Sequence, residues 1–340
     1  MRLGKWIGLI ALLISLYILW QIRQVLLLVF MAVVFATALN RFVRRLRQAG
    51  AKRGIAAALA VICFLAILVI FIWLIVPPFA SEFQQLTELV PIGLERLRGW
   101  LVILQSRLPG DSSRYIPSVD NLTRQIQPFA SWAFNNFFSL FSNFIAILLN
   151  SLLVVVLTVM LLVSPIPYRQ GLLQLFPSFY RRRADDILSQ CEVALVSWIR
   201  GILIDMVVIG VVSGIGLWIL RVPLVLANAA LAGVFEAIPN LGPALSLIPP
   251  MAIALLDAPW KAGAVVILYI LIQQLEQFFL VPFVMAKQVS LLPAVTLLSQ
   301  VIFAIFFGFL GLFLAIPLMI VGQIWIREVL VRDVLDKWEK

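Results

Sequence analysis

Histidine is absent from this 340-residue chain, and cysteine occurs only twice. Without an imidazole, the chain cannot build a Ser-His-Asp triad, a histidine proton relay or a zinc site with histidine ligands. Cys63 lies in an apolar run and Cys191 in a basic stretch that we expect to be cytoplasmic, so no disulfide is predicted. A P-loop is also missing, which argues against direct use of ATP. We therefore expect neither an enzyme nor a cofactor.

Charged residues are scarce as well. They make up 12% of the chain, whereas hydrophobic residues make up 63% and the mean hydropathy is +1.08. A soluble domain has about a quarter of its residues charged. This composition predicts an all-α polytopic membrane protein whose main partner is the lipid bilayer.

Apolar runs of about 20 residues, the length that crosses a bilayer, alternate with basic segments. Between residues 40 and 54 there are six positive charges and no acidic residue, which is the positive-inside pattern. The net charge of +10 is thus interpreted as a topology signal and not as a nucleic-acid-binding surface. We predict about eight transmembrane helices in the plasma (inner) membrane, with the N-terminus in the cytoplasm.

These runs divide the chain into five parts. We assign three spans to 1–76, an external amphipathic helical segment to 77–143, and the fourth span with a cytoplasmic basic and interfacial segment to 144–201. A transport core is assigned to 202–326 and a charged tail to 327–340. In the external segment, apolar residues recur every three or four positions, which predicts a helix. Its apolar stripe either packs on its own bundle or the membrane surface, or forms a contact between subunits.

The predicted core contains an apolar stretch that proline, glycine and polar residues interrupt. Two half-helices, Leu224 to Ile238 and Ala244 to Leu256, are expected around an unwound turn at Pro239 to Pro243, as a re-entrant hairpin or a broken span. Polar side chains in lipid-embedded segments usually mark a substrate or ion path. The candidate path residues are Glu236, Asn240, Gln273, Glu276 and Gln277. The predicted breaks and hinges are Pro239, Gly242, Pro243, Pro282, Pro293, Gly308, Gly311 and Pro317.

Two interpretations of these acids differ from a path. Glu236 could be a structural residue at a helix end, satisfied by neighbouring backbone amides. Asp205, near the cytoplasmic end of the predicted fifth span from Ile202 to Leu220, is expected to reach the lipid headgroups.

The segment Glu236-Ala-Ile-Pro239-Asn-Leu-Gly242-Pro243 and the later Glu276 and Pro282 are similar to the pattern of one known family. With Pro293, Gly308, Gly311 and Pro317 in the same order, the chain resembles the autoinducer-2 exporter family of PerM-like permeases. The resemblance implies about eight spans, transport of a small solute and a homo-oligomer. The chain departs from the family pattern at Phe278, Ala286 and Leu292.

Three functions remain open from the sequence. The first is a permease or exporter of a small polar solute such as an autoinducer-type signalling molecule. The second is a monovalent cation/proton antiporter, an activity that the family resemblance implies for some members. The third is a membrane scaffold that transports nothing and binds partners through its external stripe and basic loops.

Overall fold

The computed structural model describes residues 17–70, 144–280 and 293–335, together with residues 10, 13–15 and 73. Within these residues the regular elements are helices, and there is no strand. The helices are α1 (Arg23–Gln48), α2 (Arg53–Ile70), α3 (Phe144–Val163), α4 (Pro165–Gln174), α5 (Arg181–Ile219), α6 (Val225–Phe235), α7 (Gly242–Asp257), α8 (Pro259–Leu275) and α9 (Pro293–Trp325). A π-helical turn, Glu276–Leu280, extends α8, and a π-helical segment, Ile326–Leu335, extends α9.

Five of the described helices are long and apolar enough to cross a bilayer, namely α1, α2, α5, α8 and α9. The bent pair α3 and α4 raises the number to six if it forms one span. Many large apolar side chains on these helices are exposed, such as Ile62, Val207 and Ile305. In water such a surface would be unstable, so it fits a bilayer. The all-α polytopic membrane fold is confirmed, while the external segment 77–143 and Pro282 lie outside the described residues.

The basic residues after the second predicted span belong to a helix and not to a loop. The apolar run ends at Leu39, but α1 continues through the arginines to Gln48. Arginine is a good helix former, and Val43, only 1% exposed, holds this extension in an apolar cluster with Ala57 and Leu162. A turn at Gly50, with φ of +97°, follows the helix.

A helix, α3, lies where the fourth span is predicted and runs from Phe144 to Val163. Pro165 then begins α4, and the chain bends by 94° between the two helices. The carbonyl oxygen of Leu162, near the end of α3, accepts a hydrogen bond of 3.2 Å from Arg53 Nε. This bond satisfies a carbonyl that has no partner within its own helix.

The predicted interfacial helix and the predicted fifth span form one element. The 39 residues of α5 are continuous and span about 58 Å at 1.5 Å per residue, well beyond the ~30 Å hydrocarbon layer. The glycines of its second half permit close packing, since a Cβ at Gly210 would lie 3.2 Å from the carbonyl oxygen of Ala229 on α6. Small residues therefore bring α5 and α6 close together.

The interrupted region forms a helical hairpin. The short helices α6 and α7 are separated by turns at residues 236–241. Leu224 and Val225 at the start of α6 pack in one apolar cluster with Ile253 and Ala254 near the end of α7. The first turn of one helix therefore meets the last turns of the other, as in an antiparallel pair.

A second break interrupts α9 at Gly308, where φ is +66° and ψ is −149°. A Cβ on Gly311 would overlap the carbonyl oxygen of Phe303, although residues 303 and 311 of a straight helix are about 12 Å apart. The chain thus turns sharply at Gly308. Of the breaks predicted for this run, the one at Gly308 is a defined bend between 293–307 and 309–325.

The described residues belong to two compact units. One comprises the residues up to 65, 149–201 and those from 287 onward, and contains α1, α4 and α9. The other comprises 66–148 and 202–286, and contains α6, α7 and α8. The candidate path residues all belong to the second unit.

Candidate functional site

The turn between α6 and α7 positions Glu236. Glu236 directly follows the last residue of α6, and the amide of Ile238 donates to the carbonyl oxygen of Phe235 at 2.9 Å. Asn240 then takes a left-handed conformation with φ of +69°, which Asn tolerates better than most residues. A Cβ at Gly242 would overlap the carbonyl oxygen of Phe235. Glycine at this position is therefore required by the close approach of the backbone.

The Glu236 side chain is almost completely enclosed, with 1% of the residue exposed. Its Oε2 atom is buried and has no hydrogen-bond partner among the described residues. A carboxyl group that served only to cap a helix end would have its oxygens bonded to amides. Backbone amides therefore do not satisfy both carboxyl oxygens of Glu236.

Glu276 lies where the helical ladder of α8 widens into the π-helical turn. Such turns are rare and occur frequently at functional sites. Glu276 is 8% exposed, and Gln273, one helical turn earlier, donates from Nε2 to Glu276 Oε2 at 2.7 Å. The amide of Gln273 thus fixes the orientation of the Glu276 carboxyl group.

The two glutamates meet across the interior of this unit. The carboxyl groups of Glu236 and Glu276 are close enough to form a side-chain hydrogen bond. The charge of Asp205 on α5 acts on Glu236 as well. These three buried acidic residues, Glu236 and Glu276 with Asp205 near enough for its charge to act on Glu236, are hereafter called the carboxyl cluster.

No basic side chain neutralises this cluster among the described residues. Within its unit the described ion pair joins Lys261 to Asp257, one turn apart at the start of α8. The described residues also contain no group of three or more Cys, Asp or Glu side chains arranged to hold a metal ion. Burying an unpaired carboxylate costs several kcal/mol. The carboxyl cluster therefore needs protons, a monovalent cation or the polar groups of a solute to compensate it.

Other buried polar atoms in the same unit lack partners too. Among the described residues these are Ser213 Oγ and Asn228 Oδ1, in addition to Glu236 Oε2 and Asp205 Oδ1. The amide nitrogen of Asn228 donates to the carbonyl oxygens of Pro223 and Leu224, which leaves its oxygen available. In the other unit the corresponding described atom is Gln323 Oε1. Unsatisfied polar atoms are few in ordinary proteins, so their concentration here fits an interior that accommodates a polar guest.

The structure brings three of the five candidate path residues together, namely Glu236, Gln273 and Glu276. The other two, Asn240 and Gln277, have exposed side chains. Of the predicted breaks, Pro239 lies in the turn after α6, and Gly242 and Pro243 begin α7. Pro293 begins α9, Gly308 forms its break, and Pro317 is buried within it.

Asp205 is a candidate site residue that the sequence reasoning did not include among the path residues. It is 8% exposed and lies inside the unit, not among headgroups. The buried side of α5 repeats every four residues, at Gly201, Asp205, Ile209, Ser213 and Leu217. That spacing placed Asp205 on the same face as the packing residues and was the signal for its burial.

A family model for the AI-2E family of transporters matches residues 9–331. The chain belongs to the AI-2E transporter family. It is 24% identical over 294 residues to PerM of Escherichia coli (strain K12), which is described as a permease; the match covers 84% of this chain and 82% of PerM. It is 25% identical over 304 residues to the AI-2 transport protein TqsA of the same strain, covering 88% and 84% of the two chains. The transport protein YrrI of Bacillus subtilis (strain 168) is 24% identical over 242 residues, with 71% and 69% covered.

Family membership and the apolar helices together identify this AI-2E protein as an integral multi-pass membrane transporter. The family resemblance predicted from the order of Glu236, Gly242, Glu276 and Gly308 is confirmed. The family is a transport family and not an enzymatic one.

Proposed function

We propose that this AI-2E transporter moves a small polar solute, such as an autoinducer-type signalling molecule, through a site built around the carboxyl cluster. The observation that carries the proposal is the buried contact between Glu236 and Glu276, which has no basic partner among the described residues. Carboxyl groups and the Gln273 amide offer both hydrogen-bond donors and acceptors. A solute rich in hydroxyl groups fits such a site better than an apolar one.

The family supports the class of solute. TqsA carries the name AI-2 transport protein, and its similarity to this chain covers 88% of the chain. The hairpin supplies a further argument, because non-helical backbone at membrane depth is tolerated where it lines a cavity or lies within protein. The turn at residues 236–241 has this character.

Flux in proteoliposomes tests the proposal. We expect Glu236→Gln and Glu276→Gln to reduce solute flux at least tenfold, since each removes a charge-assisted hydrogen bond. Asp257→Asn is the matched control, because it neutralises an exposed carboxylate of the same unit and should leave flux unchanged. Equal flux in the parent protein and both glutamine variants would remove the two glutamates from the path.

A monovalent cation/proton antiporter is the second candidate. The proximity of Asp205 favours it, since a third carboxyl group lets protons and a cation replace one another in the cluster. Vesicles that enclose a pH-sensitive dye should then respond to added sodium, lithium or potassium, and Asp205→Asn should weaken the response. No response to any of the three cations, combined with normal solute flux, would reject antiport and leave the solute transporter in place.

The topology and assembly belong to the same proposal. The protein is inserted in the inner membrane with its N-terminus and both arginine-rich segments in the cytoplasm. The 3.5 Å ion pair between Arg44 and Glu192 supports this, because it brings the two segments together. The transport core assigned to 202–326 acts within a homo-oligomer that the external segment helps to assemble. Mass measurement of the purified protein in detergent by light scattering tests the oligomer.

A scaffold without transport activity predicts the opposite pattern of mutants. Glu236→Gln and Glu276→Gln would then be silent, while substitutions between Phe83 and Leu104 would abolish partner binding. The same flux assay, combined with a growth comparison of these variants, separates the scaffold from the transporter.

A further inference from the structure

A cavity of roughly 180 Å³ lies between α1 and α5 in the first unit. A water molecule takes about 30 Å³ of liquid, so the cavity has room for a polyatomic ion. Its lining on α1 falls at positions 37, 40, 41 and 44, and on α5 at positions 192, 193, 196, 197 and 200. In both sets the steps are of one and three positions, which is the spacing of a single helix face. Two helix faces thus converge on one space.

The lining is strongly basic. It contains the guanidinium groups of Arg41, Arg44 and Arg200, and its acidic residue is Glu192. Asn40 and Ser197 add polar side chains to the same walls. With three positive charges against one negative charge, the cavity favours an anion.

Glu192 compensates this charge incompletely. Its Oε1 lies 3.5 Å from Arg44, and its Oε2 lies 3.6 Å from Arg169, a cation outside the cavity lining. Arg169 in turn donates to Asp185 at 2.6 Å. The carboxylate of Glu192 is therefore shared with a second arginine, and the cavity keeps a net positive field.

The position along the two helices indicates which anion the cavity meets. The apolar run of α1, residues 25–39, ends where the cavity lining turns basic, and the apolar run of α5 starts at 202, just after Arg200. The cavity therefore lies where hydrocarbon gives way to headgroups. At this level the cytoplasmic leaflet presents phosphate groups and a negative surface potential. Arginine binds phosphate through paired N–H donors.

We propose that Arg41, Arg44 and Arg200 form a binding site for a phosphate oxyanion, carried by an anionic lipid headgroup or present as free phosphate. This site is separate in its residues from the carboxyl cluster and does not depend on which solute is transported. Its occupant bridges α1 and α5, and so holds the two basic segments together on one face of the membrane.

Binding to the purified full-length protein in detergent tests the site. The probes are phosphatidylglycerol, zwitterionic phosphatidylcholine and inorganic phosphate, with bound lipid counted by native mass spectrometry and phosphate binding measured by equilibrium dialysis. We expect the double variant Arg41→Gln/Arg200→Gln to bind the preferred anion at least tenfold more weakly. The matched control is Arg45→Gln/Arg47→Gln, which removes the same amount of charge from α1 outside the lining, and it should bind as the parent does.

The three probes separate the sources of the phosphate. Preference for phosphatidylglycerol over phosphatidylcholine, without competition by inorganic phosphate, assigns the site to a lipid headgroup. Binding of inorganic phosphate that displaces the lipid assigns it to a soluble anion. Equal binding by the cavity variant, the control variant and the parent, or no binding of either anion, would overturn the proposal.

A further variant tests the site even if the double variant does not fold. Glu192→Gln removes the negative charge of the lining and should tighten binding of the same anion severalfold. An unchanged or weaker affinity in a folded Glu192→Gln protein would contradict an anion site. The thermal unfolding midpoint of each variant reports whether it is folded.

Discussion

At the residue scale, the buried carboxyl groups of Glu236 and Glu276 are retained at an energetic cost. Each ionised group would cost several kcal/mol to bury without a partner, and a well-packed apolar replacement would be more stable. Proteins keep such groups mainly at functional sites, where the activity requires them although they lower the stability of the fold. The Gln273 amide, at 2.7 Å from Glu276, offsets part of this cost without neutralising charge.

Gly242 is the residue on which the geometry of the turn depends. We expect Gly242→Ala to lower the free energy of unfolding by about 1–3 kcal/mol, since the added Cβ collides with the backbone of Phe235. The measurement is the thermal unfolding midpoint in detergent. Gly263→Ala on α8 is the control because nothing lies within 4 Å of its Cβ, and there we expect no loss of stability. Equal midpoints for Gly242→Ala and the parent would contradict the close approach.

At the scale of elements, the turn between α6 and α7 and the bend in α9 are built in the same way. In each, a glycine approaches a carbonyl oxygen in the last turn of the preceding helix, Gly242 at Phe235 and Gly311 at Phe303. A side chain at either glycine would force the two helical pieces apart. The breaks are thus built by close packing of backbone and not only by proline.

The bend in α9 also depends on the conformation of Gly308. Its dihedral angles lie in a region that is essentially restricted to glycine, while nothing lies within 4 Å of its would-be Cβ. Gly308→Ala should therefore destabilise the protein by about 1–3 kcal/mol through backbone strain alone.

Gly322→Ala in the same helix provides the comparison for Gly308. Its Cβ also meets open space, and its backbone is helical, so alanine should be neutral or slightly stabilising there. Thermal unfolding of the two variants side by side measures the difference. Identical unfolding midpoints for the two variants would show that a side chain at position 308 does not strain the backbone.

The start of α5 is tied to the segment after α9 by a second polar network. Glu328, 2% exposed, accepts from Arg183 at 2.7 Å and from Arg332 at 2.9 Å. Tyr180 donates to Asp333 at 2.8 Å. Burial raises the pKa of Tyr180, and its hydrogen bond with Asp333 raises the pKa further, so the phenol stays a neutral donor at physiological pH.

Loss of Arg183 tests this network. Arg183→Gln should lower the free energy of unfolding by about 1–3 kcal/mol, because the buried Glu328 loses a charged partner. The neighbouring Arg182 is exposed, so Arg182→Gln should change stability by less than about 0.5 kcal/mol. Denaturation of both variants in detergent provides the comparison. Equal changes in stability would show that the ion pair of Arg183 with Glu328 contributes no more than an exposed arginine does.

At the scale of the whole molecule, the apolar exteriors and the basic segments predict one orientation in the membrane. A variant without cysteine, made by Cys63→Ser and Cys191→Ser, accepts single reporter cysteines in place of Arg47, Arg182 and Asp111. We expect Arg47→Cys and Arg182→Cys to react with an impermeant maleimide only from the cytoplasmic side. Asp111→Cys, in the predicted external segment, should react only from outside. Labelling of Arg47→Cys and Arg182→Cys from opposite sides would refute the shared cytoplasmic location.

Composition and hydropathy alone determined that this protein is an all-α membrane protein. Because 63% of its residues are hydrophobic, a lipid bilayer can solvate its surface and water cannot. The order of Glu236, Gly242, Glu276 and Gly308 determined its family. Local patterns also located α3 and the turn after α6, since proline, glycine and apolar runs act through nearest neighbours. The sequence likewise marked Glu236 and Glu276 as unusual.

Tertiary structure decided which polar residues meet. Asp205 joins Glu236 although 31 positions separate them in the numbering, and Asn240 and Gln277 remain exposed despite their polar neighbours. Such distant contacts depend on how α5, the hairpin and α8 pack, which no local pattern encodes. The same holds for the arginines of α1 and α5, whose convergence on one cavity is a property of two helix faces and not of either segment alone.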